Sequence, residues 1–262
     1  MLFKRIFAFF FKTKATLLVF FLLIAVFFFL SSNFFIPSET LNQASFSLAR
    51  PLNVFTYELI HIGPYHLASN VLTLLAFGIA LELALSSLDV FIIFFASAVI
   101  SGLFFIFSNP GSSVVGASGG ILALITAAFF SSPKKFFMAV FAAIVFALMI
   151  FFVLNSALFS TQQNFEVKTQ EIKQGIRQAA SEGNFEKQKQ LEQELEATVV
   201  QQASFEQSTV VEKNAVSDYA SHVFAALFGI GYVFFFRRKK FIESIAQIDL
   251  VLHNIKKKIK RQ

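Results

Sequence analysis

A serine, three histidines and an asparagine stand in or beside long apolar runs. Ser118 lies in Gly116-Ala117-Ser118-Gly119-Gly120, while His61, His66 and Asn70 share one short stretch and His222 follows Asp218 by one helical turn. Ionisable groups within a membrane-crossing segment are costly and mark a functional site by default. A serine, a neutral imidazole and an amide donor supply a nucleophile, a base and an oxyanion donor, which together equip a site for acyl transfer. Singly, each has a plainer reading. A buried His or Asn bonds a neighbouring helix, and the small residues around Ser118 let two helices pack closely. His253, in the polar tail, reads as an ordinary surface residue.

The rest of the chain must position these groups. It has 262 residues, 56% hydrophobic and 15% charged, with 39 Phe and neither Trp nor Cys. A soluble domain of this size has too little interior for so much Phe, so the composition excludes a plain cytosolic enzyme. The lack of Cys excludes disulfides, a thiolate nucleophile and Cys-based metal sites; no metal or cofactor is implied. A net charge of +6 reads as a topology signal, and no nucleic-acid motif accompanies it.

Apolar runs at 15–36, 66–85, 90–108, 116–130, 136–159 and 216–236 predict six spans. An even number puts both termini on one side. The basic residues at 4–14, Lys134, Lys135 and the run 237–240 make that side cytoplasmic in a multi-pass cell-membrane protein. The fourth run is short and follows Asn109-Pro110-Gly111, so this span begins inside the bundle beneath the outer surface. His66 and Asn70, Ser118, and His222 then share one layer near that surface.

The expected organisation is a cytoplasmic segment at 1–14, membrane helices over 15–159, a polar extracytoplasmic insert at 160–215, a last membrane helix at 216–236 and a basic tail at 237–262. In the insert, Phe165, Ile172, Ile176, Leu191 and Leu195 have helical spacing about a turn at 181–184. A helical hairpin and a disordered segment are the two readings. In the tail, Phe241, Ile245, Ile248, Leu252, Ile255 and Ile259 follow an a/d spacing. Such a helix lies on the membrane surface, pairs with a copy of itself as a homodimer, or stays solvated.

The three motifs together closely resemble the rhomboid intramembrane serine proteases. His61-Ile62-Gly63-Pro64-Tyr65-His66 with Asn70 resembles the paired-His and Asn motif of the family's second helix. Gly116-Ala117-Ser118-Gly119 resembles its nucleophile motif on the fourth. Asp218 to His222, with Gly229 beyond, resembles its motif on the sixth. The resemblance implies an all-α, six-helix bundle and a Ser118–His222 dyad. Asn70, His66 and the Ser118 backbone N–H would bind the oxyanion, and His61 would support the site or hold the loop. Other proteins' transmembrane segments would be the substrates, with the lipid bilayer as surroundings. Access in the family lies between helices 2 and 5, so the insert is expected to restrain that gate or recruit substrates.

Departures from the pattern are also legible. The first loop lacks a Trp-Arg pair, Ser221 and Ala225 replace an Ala and a Gly, and Leu122 stands where some members place a Tyr on the catalytic His. Asp218 reads as a helix cap rather than a triad acid, because an acid on the same helix does not easily reach the far ring nitrogen. Two other readings compete: an inactive rhomboid-like protein that binds membrane clients, and a transporter or channel. Retention of Ser118, His222 and Asn70 opposes the first. The lack of internal repeats opposes the second, and Glu82 and Asp89 fall at a cytoplasmic turn rather than in mid-span.

Overall fold

In the computed structural model, residues 8–32, 34–214 and 219–259 are described. They are predominantly helical, with no strand among them. Asp218 lies outside the described residues. Contacts divide the chain into two compact units, one of 1–147 with 216–262 and the other of 148–215.

In the first unit, α1 (Lys14–Leu30) is an apolar run without Gly or Pro. It stops six residues before the apolar stretch does. Ser32 pairs with Phe35 across a turn in which Phe34 has φ +68°, and Phe35 and Ile36 are buried. The short α2 (Ser38–Ala44) follows, then two 3-10 turns, Pro51–Phe55 and Tyr57–Leu59.

The helix α3 (Pro64–Glu82) begins with a proline in its first turn, where the missing N–H costs nothing. One wide turn, Leu74–Gly78, interrupts it. A Cβ at Gly78 would lie 2.8 Å from the Thr16 methyl, so the glycine lets α3 approach α1. The far end of α3 is tied to α1 more firmly. Glu82, 4% exposed, accepts from the Ala15 and Thr16 amides at 2.9 Å and the Thr16 hydroxyl at 2.6 Å. A carboxylate thus caps donors that the start of α1 would otherwise leave unmade.

The helix α4 (Ser87–Ser108) is capped by Ser86, whose Oγ accepts from the Asp89 amide. Asp89, 1% exposed, also accepts from Tyr232 Oη at 2.7 Å and from Arg237 Nε and Nη2 at 3.0 Å each. The helix α5 (Ser118–Ser131) is the centre of the unit, with Ala123, Leu124 and Ala127 fully buried. Against it packs α8 (Tyr219–Phe236), followed by α9 (Arg238–Ile259).

The second unit is a helical hairpin. The apolar run expected to end at 159 does not end its helix: α6 (Pro133–Ser181) continues unbroken into the polar stretch. The chain then turns at Gly183, φ +69°, and returns as α7 (Phe185–Asn214). Phe165 meets Phe205 with ring centroids 5.8 Å apart, Lys168 pairs with Glu194 at 3.2 Å, and Gly175 faces Leu191. These pairings run antiparallel. Ile172, Ala179, Thr198 and Phe205 are the buried seam.

Three helices, α3, α4 and α6, are long and apolar enough to cross a membrane, and α1, α5 and Ser221–Phe236 of α8 are shorter apolar helices. Their outer faces carry large apolar groups: Phe29 is 88% exposed and Phe107 72%. Surfaces of this kind belong to a membrane protein.

Candidate active site

Ser118 opens α5, preceded by a turn that the first loop holds in place. Phe46 and Val114 exchange backbone hydrogen bonds at 3.0 Å, and the Gly116 amide donates to the Tyr57 carbonyl at 3.0 Å. Tyr57 is itself locked, its hydroxyl donating to the Ala98 carbonyl of α4 at 2.6 Å. Its ring fits because α4 has Gly102 there; a Cβ at that position would lie 2.7 Å from the Tyr57 oxygen.

Gly116 has φ +108°, a region that disfavours side chains, and a Cβ there would fall 2.6 Å from His66 Cε1. The turn into Ser118 therefore rests against the His66 imidazole. Gly119 and Gly120 make similar contact with α4, facing Ser101 and Phe94.

On the other side of α5, Gly229 of α8 lies against the Ala123 carbonyl and the Thr126 hydroxyl. Thr126 donates to the Ala226 carbonyl at 3.0 Å, and Ala225 is fully buried. These contacts fix the separation and register of the two helices. They bring His222, seven residues before Gly229, opposite the start of α5. Ser118 Oγ lies 2.9 Å from His222 Nε2, and both residues are half-buried. With the proton on Nδ1, Nε2 can accept from the hydroxyl, the geometry of an activated serine.

Asn70 is 6% exposed and donates through Nδ2 to the His66 carbonyl at 2.8 Å. The amide nitrogen carries two hydrogens, and this bond uses one. His66 is half-buried, and its ring centroid lies 4.9 Å from that of His61. His61 is fully buried with Nδ1 3.3 Å from the Leu59 carbonyl. Burial, reinforced by His66 nearby, lowers its pKa to about 3, so His61 is neutral. Glu58, also fully buried, has no hydrogen-bond partner for either carboxyl oxygen among the described residues. Burial raises its pKa to about 8.

The structure thus gathers Ser118 with His222, and His66 with Gly116, Asn70 and His61. Gly119 and Gly229 serve close packing. Tyr57 and Thr126 were not singled out by sequence reasoning, though both position this site. A lone hydroxyl in the apolar run of α5 was the available signal for Thr126. Tyr57 offered none, since its partners are backbone carbonyls and amides. No group of three or more metal-ligating side chains occurs among the described residues.

A family model described as Rhomboid domain matches residues 49–173. That stretch includes His61, His66, Asn70 and Ser118 and ends before His222. The chain is similar to Rhomboid-related protein 2 of Mus musculus, with 36% identity over 70 residues, 27% of this chain and 23% of that protein. The chain therefore spans about a quarter of that relative's length. No solved structure matches the chain significantly. The domain match covers the paired-His, Asn and Gly-Ala-Ser-Gly motifs and supports assignment of this stretch to the rhomboid family.

Proposed function

We propose that this chain is an intramembrane serine endopeptidase, cutting peptide bonds in or near transmembrane segments of other membrane proteins. The observation that carries the reading is the 2.9 Å approach of Ser118 Oγ to His222 Nε2 between helices packed through Gly229 and Thr126. Ser118 Oγ attacks the scissile carbonyl carbon as its proton passes to Nε2. The same proton then goes to the leaving amine, and an acyl-serine remains. Water, deprotonated by His222, attacks the acyl carbon, releasing the carboxylic acid and restoring the serine. The Asn70 amide, His66 and the Ser118 N–H, which opens α5, are donors for the oxyanion of both tetrahedral intermediates.

In this reading the six apolar helices span a cell membrane with both termini cytoplasmic, and Ser118 lies near the outer surface, where water reaches it. A substrate helix must unwind locally to offer a carbonyl, so small or helix-breaking residues mark the cut. The hairpin then lies outside and restrains the gate or recruits substrates. Unchanged cleavage of membrane substrates after deletion of 161–215 would overturn that role.

The test of the peptidase is labelling by a fluorophosphonate in detergent. Labelling is expected in the natural chain and absent in Ser118→Ala. Labelling that survives this substitution, or its absence in folded protein, rejects the peptidase. The latter result is the one expected of an inactive, client-binding rhomboid relative.

A further inference from the structure

At the end of α5 remote from Ser118, side-chain contacts draw the basic ends of three segments together. Thr13 is fully buried and Glu82 holds the first turn of α1, which fixes Lys12 beside the end of α3. One residue after Glu82, the Leu83 carbonyl accepts from Lys135 Nζ at 2.6 Å. Phe136, next to Lys135, packs against Phe129 with centroids 5.1 Å apart. Phe130 stacks on Phe241 at 5.4 Å, and Lys240 is the residue before it. Burial, and after it the nearby charges of Lys240 and Lys12, push the Lys135 ammonium below its ordinary pKa.

Among the described residues, the carboxylates near this convergence do little to neutralise it. The buried carboxylates at this end are committed, Glu82 to α1 and Asp89 to Tyr232 and Arg237. Glu243 lies 3.3 Å from Lys240, but both side chains are more than 40% exposed, and such pairs are weak. Two buried hydroxyls at the same junction, Ser131 and Ser244, have no hydrogen-bond partner among the described residues.

We propose that Lys12, Lys135 and Lys240 form a site for the phosphate headgroup of an anionic glycerophospholipid at the foot of the bundle. A phosphate offers charge and acceptors that three ammonium groups can share. The surroundings favour a lipid over free phosphate. Immediately beyond Lys135, α6 exposes Phe137 (62%) and Phe141 (71%), one helical turn apart on one face, as a surface for an acyl chain. The proposal rests on the membrane reading of the chain and is independent of the chemistry at Ser118.

The test is native mass spectrometry of the full chain released from mixed micelles of phosphatidylglycerol and phosphatidylcholine. Phosphatidylglycerol is expected to be retained selectively. Lys12→Gln and Lys240→Gln are each expected to weaken its retention about fivefold. Lys168→Gln with Lys173→Gln, in the hairpin, is expected to change nothing. Lys135→Gln also breaks the bond to Leu83; should it fail to fold, the Lys12 and Lys240 variants decide the matter. Equal loss in the hairpin control, or full retention in Lys12→Gln/Lys240→Gln, overturns the site. Displacement of the lipid by inorganic phosphate at equal concentration overturns the lipid as its ligand.

Discussion

Gly116 and His66 touch where no side chain would fit between them: a methyl on Gly116 would lie 2.6 Å from His66 Cε1. This contact couples the turn into Ser118 to the start of α3. Gly116→Ala adds both the clash and the strain of φ +108°, the latter worth about 1–3 kcal/mol. Gly111 is a natural control, with φ +89° and nothing within 4 Å of an added Cβ. Fluorophosphonate labelling should slow about 100-fold in Gly116→Ala, as expected for a small misplacement of reacting groups, and remain unchanged in Gly111→Ala.

The Glu82 carboxylate carries the start of α1. Glu82→Ala leaves two amides and the Thr16 hydroxyl without their acceptor. A loss of roughly 2 kcal/mol or more is expected. Thr16→Val removes one of the three bonds and should cost about 1 kcal/mol. Unfolding in mixed micelles measures both. The labelling rate of the folded fraction should not change, because the site lies at the other end of α5.

Asp89 joins α4 to the end of α8. Asp89→Ala leaves Arg237 and Tyr232 without their partner, at a cost of roughly 3 kcal/mol. Exposure of the Arg237 side chain, 42%, sets this at the low end for a broken buried pair. Adding Arg237→Met should recover part of the loss, and a double-mutant cycle on unfolding midpoints checks the coupling.

Glu58 and His61 should bend the pH dependence of stability in opposite senses. Glu58 has its folded pKa raised from 4.5 to about 8, so the folded state holds the extra proton between those values. Stability therefore falls as pH rises through that window. His61 has its folded pKa lowered from 6.5 to about 3, so the unfolded state takes the proton first. Its contribution is present above pH 6.5 and is lost as pH falls toward 3. Glu58→Gln should flatten the alkaline decline and His61→Gln the acid one. Melting temperatures across this range provide the measurement.

The site was legible for the reason that makes it costly. Ser118, Asn70, His66 and His222 stand out because an apolar run tolerates few such groups. Their meeting depends on small residues, and the glycines at 116, 119 and 229 are visible in sequence too. The restraints behind them are not. Glu82 and Asp89 lie near span ends, where charge is ordinary, and their partners are 66 to 148 positions away. Helix limits failed where composition and hydrogen bonding part company. The span expected to reach 36 leaves the helix at Ser31-Ser32, whereas α6 crosses from apolar to polar sequence without a break, because its backbone bonds do not depend on side-chain polarity. The antiparallel hairpin follows the spacing of Phe165, Ile172 and Leu191.

The pairing of Asp89 with Arg237 also has a consequence in time. The two residues are 148 positions apart, so a ribosome working at about 5–20 residues per second makes the aspartate roughly 7–30 s before its arginine. Throughout that interval the start of α4 bears a carboxylate without its Arg237 partner. A chain truncated before Arg237 keeps that carboxylate without its guanidinium permanently.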